Sequence, residues 1–185
     1  MNARVAALAL LTAACAGGPD GARDITGAAV DLRAVAPGTV RVLIFTSHEC
    51  PIANAYAPTL RALAARFRAE PVEWFIVHVD PDLAPAAAQR HAADYELPGR
   101  VVLEPAQATA RRFGVERTPE AVVLTHSGAQ YVGRIDDQWQ ALGSRQTTAS
   151  SHDLGDAIAA VVGGAKPANA HRTAVGCLLP EPSSR

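Results

Sequence analysis

The sequence predicts an α/β fold, with a mixed central β-sheet and helices on both of its faces. Two runs rich in apolar and β-branched residues, 40–47 and 72–80, are typical of strands buried on both faces. A helical segment follows each run, and such alternation produces parallel strands. The later stretch 120–135 is typical of two strands joined by a turn at Ser127 and Gly128, which indicates an antiparallel end to the sheet.

The first helix is predicted to begin at Cys50. Apolar residues recur at spacings of three and four, which defines one face of a helix. These residues are Ile52, Tyr56, Leu60, Leu63 and Phe67. Pro51 stands in the first turn, where a missing N–H is tolerated. Pro58 falls inside the pattern, and we expect it to kink the helix.

The remaining elements are shorter and alternate along the chain. A helix is predicted over 82–97, beginning near Asp82, and a strand over 100–104. The helix predicted over 106–115 ends at a glycine, Gly114. The last helix lies within 150–164, with Ser151 as its cap and Gly163 as its stop.

Composition limits the classes of function. The chain has 185 residues, of which 49% are hydrophobic, enough to bury the core of one domain. The formal net charge of −1 gives no electrostatic basis for binding nucleic acid or an anionic membrane surface. We therefore expect no nucleic-acid partner.

The first 16 residues are typical of an export signal. Arg4 precedes the apolar run 5–14, which is too short to span a membrane, and a polar, glycine-rich stretch follows. Two outcomes stay open: cleavage after Ala16, or a lipoprotein signal in which Cys15 carries a lipid anchor. Either way the exported chain keeps two thiols, Cys50 and Cys177, in an oxidising compartment such as the periplasm.

Cys50 has the setting of a reactive cysteine. It lies between a buried strand and a helix start, where free N–H groups and the helix dipole favour the thiolate over the thiol. The thiolate is the nucleophilic form. A buried, inert cysteine is the alternative, but polar residues precede Cys50 and Pro51 follows it, which indicates an exposed rim.

Thr118 and Pro119 stand immediately before the predicted strand at 120. A proline at the first position of a strand needs no special function. An X-Pro bond in this position can also be cis, and a cis proline is usually a fixed structural feature.

These residues resemble the thioredoxin-like superfamily. Its active helix reads Cys-x-x-Cys-x-x-x-Ala-Pro, and "CPIANAYAP" places Cys50, Ala57 and Pro58 on the first cysteine, the alanine and the proline. Its cis-proline loop resembles Thr118-Pro119. In more detail, the chain is similar to redoxin-type (AhpC/TSA-like) exported bacterial proteins with a Cys-Pro-Ile-x-Asn motif, whose later "GRIDD" and "VGC" strings match 133–137 and 175–177.

The resemblance implies a thioredoxin-like domain over 20–165 and a C-terminal tail over 166–185 that carries Cys177. One departure matters, because Ala53 occupies the position of the second cysteine and excludes a dithiol within the helix. We expect the partner of Cys50 to be Cys177, because the tail segment 174–180 is apolar and Gly176 permits a close backbone approach. A cysteine that only anchors the tail, or pairs between chains, is the alternative.

Two other functions stay open at this stage. A peroxiredoxin-like peroxidase would use Cys50 with Ser47 three residues earlier, although Leu43 replaces the proline of that motif. It would also need an arginine, either Arg117 or Arg134. A non-catalytic module that binds a partner or copper is the other alternative, although Asn54 stands where copper-chaperone relatives carry a second cysteine.

Four further polar residues are predicted to have structural rather than catalytic or metal-binding roles. His48 is predicted to be rim polarity rather than thiolate support or a metal ligand, and His78 to be a hydrogen-bonded core histidine. Asp136 and Asp137 are predicted to be solvated turn carboxylates rather than a general-base pair. No phosphate loop, metal-ligand cluster or Ser-His-Asp pattern is evident in the sequence.

The prediction is an exported, thiol-dependent oxidoreductase that acts through Cys50, with Cys177 as its resolving partner and Thr118-Pro119 beside the site. Its substrate would be a protein or small-molecule thiol or disulfide, or a hydroperoxide. We expect no cofactor and no metal. Membrane contact would arise only through a lipid on Cys15.

Overall fold

The computed structural model describes residues 21–182. The predicted export signal 1–16 and Cys15 lie outside the described residues. Within residues 21–182, no helix combines the length and the apolar character that crossing a bilayer requires.

The elements follow the predicted alternation. The strands are β1 Arg23–Asp24, β2 Val40–Thr46, β3 Val72–His78, β4 Arg100–Leu103, β5 Arg117–Thr118, β6 Glu120–Thr125, β7 Gly128–Gly133, β8 Trp139–Ala141, β9 Ser144–Arg145, β10 His171–Arg172 and β11 Cys177–Leu178. The helices are α1 Pro51–Ala55, α2 Ala57–Arg66, α3 Pro85–Asp94, α4 Ala108–Phe113 and α5 Asp153–Val162.

Seven strands form the central sheet in the order β1-β4-β3-β2-β6-β7-β10. β2, β3 and β4 are parallel, whereas β6 runs antiparallel to both β2 and β7. The sheet is therefore mixed, as predicted. β2 is central, and all seven of its residues are buried, so α1 starts from the end of a firmly held strand.

Side chains of β2 alternate between two cores, one on each face of the sheet. Val42 and Ile44 pack with residues of α1, α2 and α5, whereas Leu43 and Phe45 pack with residues of α4 and of the N-terminal segment. Burial on both faces explains why β2 is a continuous apolar run rather than an alternating one.

The predicted first helix is broken into α1 and α2 at Tyr56. Pro58 has no N–H to donate to the carbonyl of residue 54, and its ring would crowd that carbonyl, so the interruption predicted for this proline is confirmed. The apolar face is also confirmed, since Ile52, Tyr56 and Leu60 are all buried.

Two helix starts differ from prediction. α3 begins at Pro85 rather than near Asp82, because proline is suited to the first position of a helix. α5 begins after His152, so Ser151 is not its cap. The Ser151 hydroxyl instead donates to Asp153, the first helical residue, 2.9 Å away.

The tail adds two strands to the fold. β10 lies parallel to β7 at the edge of the sheet, and β11 pairs antiparallel with β5, which directly precedes Pro119. Close approach of β10 requires Gly133, because a Cβ there would lie under 3.0 Å from the backbone of Arg172. The tail is therefore part of the folded unit and passes over the end of the sheet that carries Cys50.

Candidate functional site

Cys50 is the N-cap residue of α1. Its backbone is extended, and its Sγ accepts a hydrogen bond from the Ala53 N–H at 3.5 Å. The helix dipole and this N–H both favour negative charge on the sulfur, as the sequence suggested. The predicted exposed rim is wrong in this disulfide-bonded form, because Cys50 is only 2% exposed.

The Thr118-Pro119 peptide bond is cis, as expected from the sequence. It lies directly against Cys50, since the Cys50 Sγ is 3.1 Å from the carbonyl oxygen of Thr118. The loop that carries Pro119 and the start of α1 therefore form two walls around one sulfur atom.

A disulfide joins Cys50 to Cys177, with the two Cα atoms 6.0 Å apart. This separation is typical of protein disulfides. The predicted pairing is confirmed, and the tail carries the second cysteine that Ala53 does not supply within the helix.

Backbone contacts hold the tail in place on both sides of Cys177. Cys177 pairs with Thr118 in the β11–β5 ladder, and Leu179 donates its N–H to the Glu116 carbonyl at 3.1 Å. The Arg117 guanidinium donates to the Gly176 carbonyl at 3.3 Å. The disulfide is thus one part of a longer docked segment.

Asp80 organises the turn that leads into Cys50. It accepts hydrogen bonds from the Ser47 hydroxyl at 2.5 Å and from the His48 N–H at 3.1 Å. Burial alone would raise the pKa of this carboxyl, but the nearby His78 ring, together with hydrogen bonds from the Ser47 hydroxyl and the His48 N–H, outweighs burial and lowers the pKa to about 2. Asp80 therefore stays ionised and fixes the turn before α1.

Two histidines lie beside this carboxylate, and a third packs against one of them. His48 Nδ1 lies 3.2 Å from Asp80 Oδ1, and His78 Nδ1 lies 3.5 Å from Oδ2. His91 stacks edge-on to His78, and its Nε2 is 2.8 Å from Oδ1 of Asn54. Burial, together with the nearby His78 and His48, lowers the pKa of His91 to about 4.

Both histidine predictions need correction. His48 is more than rim polarity, because its backbone and its ring both face Asp80. His78 is fully buried as predicted, but neither of its ring nitrogens has a hydrogen-bond partner among residues 21–182, so the prediction of a hydrogen-bonded core histidine is wrong.

The carboxylates of the "GRIDD" string are buried, so the prediction of solvated side chains is wrong. Asp136 accepts a hydrogen bond from the Tyr56 hydroxyl at 2.7 Å. Asp137 accepts from the Ser150 hydroxyl and from the backbone N–H groups of Ser151 and Ser150, and these bonds lower its pKa to about 2. Both residues fix loops rather than forming a general-base pair.

The residues required by the alternative functions have other partners. Arg134 donates to Asp153 at 2.8 Å, Arg117 contacts the tail, and the Ser47 hydroxyl is bonded to Asp80. Asn54 donates to the His48 carbonyl at 3.1 Å. Across residues 21–182, no group of three or more histidine, cysteine, aspartate or glutamate side chains is arranged to hold a metal ion.

Sequence reasoning missed two contributors to the site, Asp80 and His91, and gave Asn54 no role beside Cys50. Asp80 could have been suspected because it closely follows β3, a strand predicted to lie parallel to the one that leads to Cys50. His91 gave no such signal, since a histidine in an alanine-rich helix has no distinctive spacing. Its placement depends on the packing of α3 near α1, which only the tertiary structure provides.

Known structures of the same shape have little sequence in common with this chain. An uncharacterized conserved protein from Geobacillus kaustophilus is 19% identical, with a TM-score of 0.72 and 88% of each chain covered. A hypothetical protein from Sinorhizobium meliloti is 17% identical, with a TM-score of 0.67 over 77% of this chain and 79% of its own.

A secreted Mycobacterium tuberculosis disulfide oxidoreductase, homologous to E. coli DsbE, is 22% identical and aligns with a TM-score of 0.51 over 77% of this chain and 93% of its own. At these identities the likeness establishes the thioredoxin-like fold. A search of curated proteins found no match. The family model described as Redoxin matches residues 18–131, more than half of the sequence. The chain therefore belongs to the Redoxin family.

Proposed function

We propose that this protein is an exported thiol-disulfide oxidoreductase that cycles between a Cys50–Cys177 disulfide and two thiols. The observation that carries the proposal is the disulfide itself, which joins a helix N-cap cysteine to a tail cysteine beside the Thr118-Pro119 loop. Membership of the Redoxin family adds support.

In the reduced state, the Cys50 thiolate attacks one sulfur of a substrate disulfide. The substrate's second sulfur leaves as a thiolate, and Cys50 is then joined to the first in a mixed disulfide. The Cys177 thiolate attacks the Cys50 sulfur, which expels the remaining substrate thiolate and forms the Cys50–Cys177 bond. Two electrons pass from the protein to the substrate, which requires that the substrate has the higher reduction potential.

The docked tail supports the second step. β11 pairs with β5 in a register that sets Cys177 opposite Thr118, whose carbonyl contacts the Cys50 sulfur. The resolving cysteine is therefore delivered by backbone hydrogen bonds, so that it does not depend on a chance encounter. Hydroperoxide reduction is less well supported, because Arg117 and Arg134 have the other partners described above.

The test is a disulfide-reduction assay on a protein substrate such as insulin, with single cysteine variants. We expect Cys50→Ser to abolish turnover and Cys177→Ser to accumulate a mixed disulfide at Cys50. Cys15→Ser is the matched control and should keep the full rate in purified protein. Retention of turnover by Cys50→Ser, or hydroperoxide consumption faster than disulfide reduction, would contradict the proposal.

Export through residues 1–16 is the second part of the proposal. It would bring the two cysteines into a compartment where disulfides persist. Cell fractionation, followed by mass spectrometry of the N-terminal peptide, tests it. A peptide that begins at residue 17 indicates cleavage, and a lipid-modified Cys15 indicates anchoring. An intact N-terminus in the cytoplasmic fraction would contradict export.

A further inference from the structure

We propose that electrons enter the oxidised protein through Cys177, so that an external thiolate attacks the tail sulfur and Cys50 is the leaving group. This inference rests on the proposed thiol-disulfide function and deepens it. It assigns different sulfurs to the two halves of the cycle: Cys50 meets the oxidised substrate, whereas Cys177 meets the electron donor.

The first support is access. Cys50 is 2% exposed and packs in the core cluster with Ile52 and Tyr56. Cys177 also packs against this cluster, but at its margin, where it is partly exposed. β11 pairs with β5 along one edge, and within residues 21–182 no strand pairs with its other edge. A thiolate from solvent therefore reaches the Cys177 sulfur more easily than the Cys50 sulfur.

The second support is the leaving group. Attack on one sulfur of a disulfide expels the other as a thiolate, and the thiol with the lower pKa leaves faster. Cys50 is at a helix N-cap, where the Ala53 N–H and the helix dipole favour its thiolate. Cys177 lies in a two-residue strand, outside any helix. Attack on Cys177 therefore expels the better leaving group, the Cys50 thiolate. Solvent exposure and leaving-group stability both favour Cys177 as the sulfur that is attacked.

A donor thiolate R–S⁻ forms a bond to the Cys177 sulfur while the Cys50–Cys177 bond breaks, which gives R–S–S–Cys177 and the Cys50 thiolate. A second thiolate of the donor then attacks the R sulfur, forms the donor disulfide and releases the Cys177 thiolate. The donor loses two electrons, and the protein gains them. The donor class is thus a dithiol, or two equivalents of a monothiol.

The experiment maps the first adduct. The oxidised full-length protein is mixed with reduced glutathione, quenched with acid at a series of early times, alkylated under denaturing conditions and digested. Peptide mass spectrometry then locates the glutathione and the alkyl group. The amounts of the two products are extrapolated to zero time. We expect the product with glutathione on Cys177 and the alkyl group on Cys50 to exceed the opposite product at least tenfold. Extrapolation is necessary because the released Cys50 thiolate can attack the mixed disulfide in turn.

A control reaction tests whether the preference for Cys177 depends on the folded structure. The same reaction in denaturing urea exposes both sulfurs and removes the helix, so the preference should fall to within about threefold of equality. Glutathione on Cys50, or equal amounts on both residues at zero time in the folded protein, would overturn the inference while leaving the proposed function intact. A folded-state excess that persists unchanged in urea would also overturn it. A disulfide that thiols do not reduce would overturn the proposed function as well.

Discussion

The backbones of Gly176 and Thr118 touch, so that a Cβ at position 176 would lie under 3.0 Å from the Thr118 carbonyl oxygen. Real Cβ atoms essentially never approach that closely. The neighbouring atom belongs to the backbone next to a proline and cannot move aside cheaply. The contact sets the depth at which the tail docks, and therefore the position of Cys177.

Gly176→Ala is expected to displace the tail and weaken the disulfide. The measurement is the equilibrium between oxidised and reduced protein in glutathione buffers, and we expect it to shift at least tenfold toward the thiols. Gly164→Ala is the control, because a Cβ there meets nothing within 4 Å, although its positive φ costs some stability. An unchanged equilibrium for Gly176→Ala would show that the tail tolerates the methyl group.

Cys177→Ser is expected to lower the free energy of unfolding by about 2 to 5 kcal/mol relative to the oxidised protein. The disulfide spans 127 residues of sequence, and closing so long a loop strongly restricts the unfolded chain. Urea denaturation of the oxidised wild type, the reduced wild type and the variant tests this. The last two should unfold at similar urea concentrations, and coincidence of all three curves would contradict the prediction.

Tyr56→Phe is expected to destabilise the fold by about 1 to 2 kcal/mol, because it removes a donor to the buried Asp136 carboxylate. The Gln138 N–H still donates to the same oxygen, which limits the loss. Tyr95→Phe is the matched control at an exposed tyrosine and should change stability by no more than about 0.5 kcal/mol. Equal effects of the two substitutions would indicate that the Tyr56 hydroxyl contributes little.

Stability should fall as the pH drops from 6.5 toward 4. His91 has its pKa lowered to about 4 in the folded state, so the unfolded chain binds more protons between those values. The contribution is at most about 1.4 kcal/mol per pH unit for one proton. Asp80 has a lowered pKa near 2, so its own contribution is lost only at more acid pH.

His91→Asn isolates this effect in a series of urea denaturation curves between pH 4 and 7. Glu120 acts in the opposite direction, because burial raises its pKa and the folded state then holds its proton more tightly. That contribution is common to both proteins and cancels in the difference. The variant should show a flatter loss of stability with acid than the wild type, and parallel curves would contradict the role of His91.

Much of the fold was predictable because its signals are local. The run 40–47 is short and rich in β-branched residues, which favours a buried strand over a buried helix, and Pro58 interrupts a helix by its own covalent structure. The pairing of Cys50 with Cys177 was also predictable, since export with loss or lipidation of Cys15 would leave two thiols in an oxidising compartment.

The rest depends on tertiary contacts. β10 and β11 are two residues long, too short to show any periodicity, and they exist because β7 and β5 offer free backbone partners. Asp136 resembles a solvated turn carboxylate in the sequence, yet the Tyr56 hydroxyl from α1's end makes its burial favourable. His91 contacts the active helix only because α3 packs beside it.

Anchoring of β10 on β7 has a consequence for the rate of ring closure. Only residues 173–176 separate that anchor from Cys177. At about 3.3 Å per residue, so short a tether keeps the Cys177 Cα within roughly 17 Å of the anchor after the disulfide opens. Short flexible tethers create effective concentrations of about a millimolar. Cys177 is therefore held close to Cys50, and ring closure can outpace a competing thiol whose concentration in solution is lower than that.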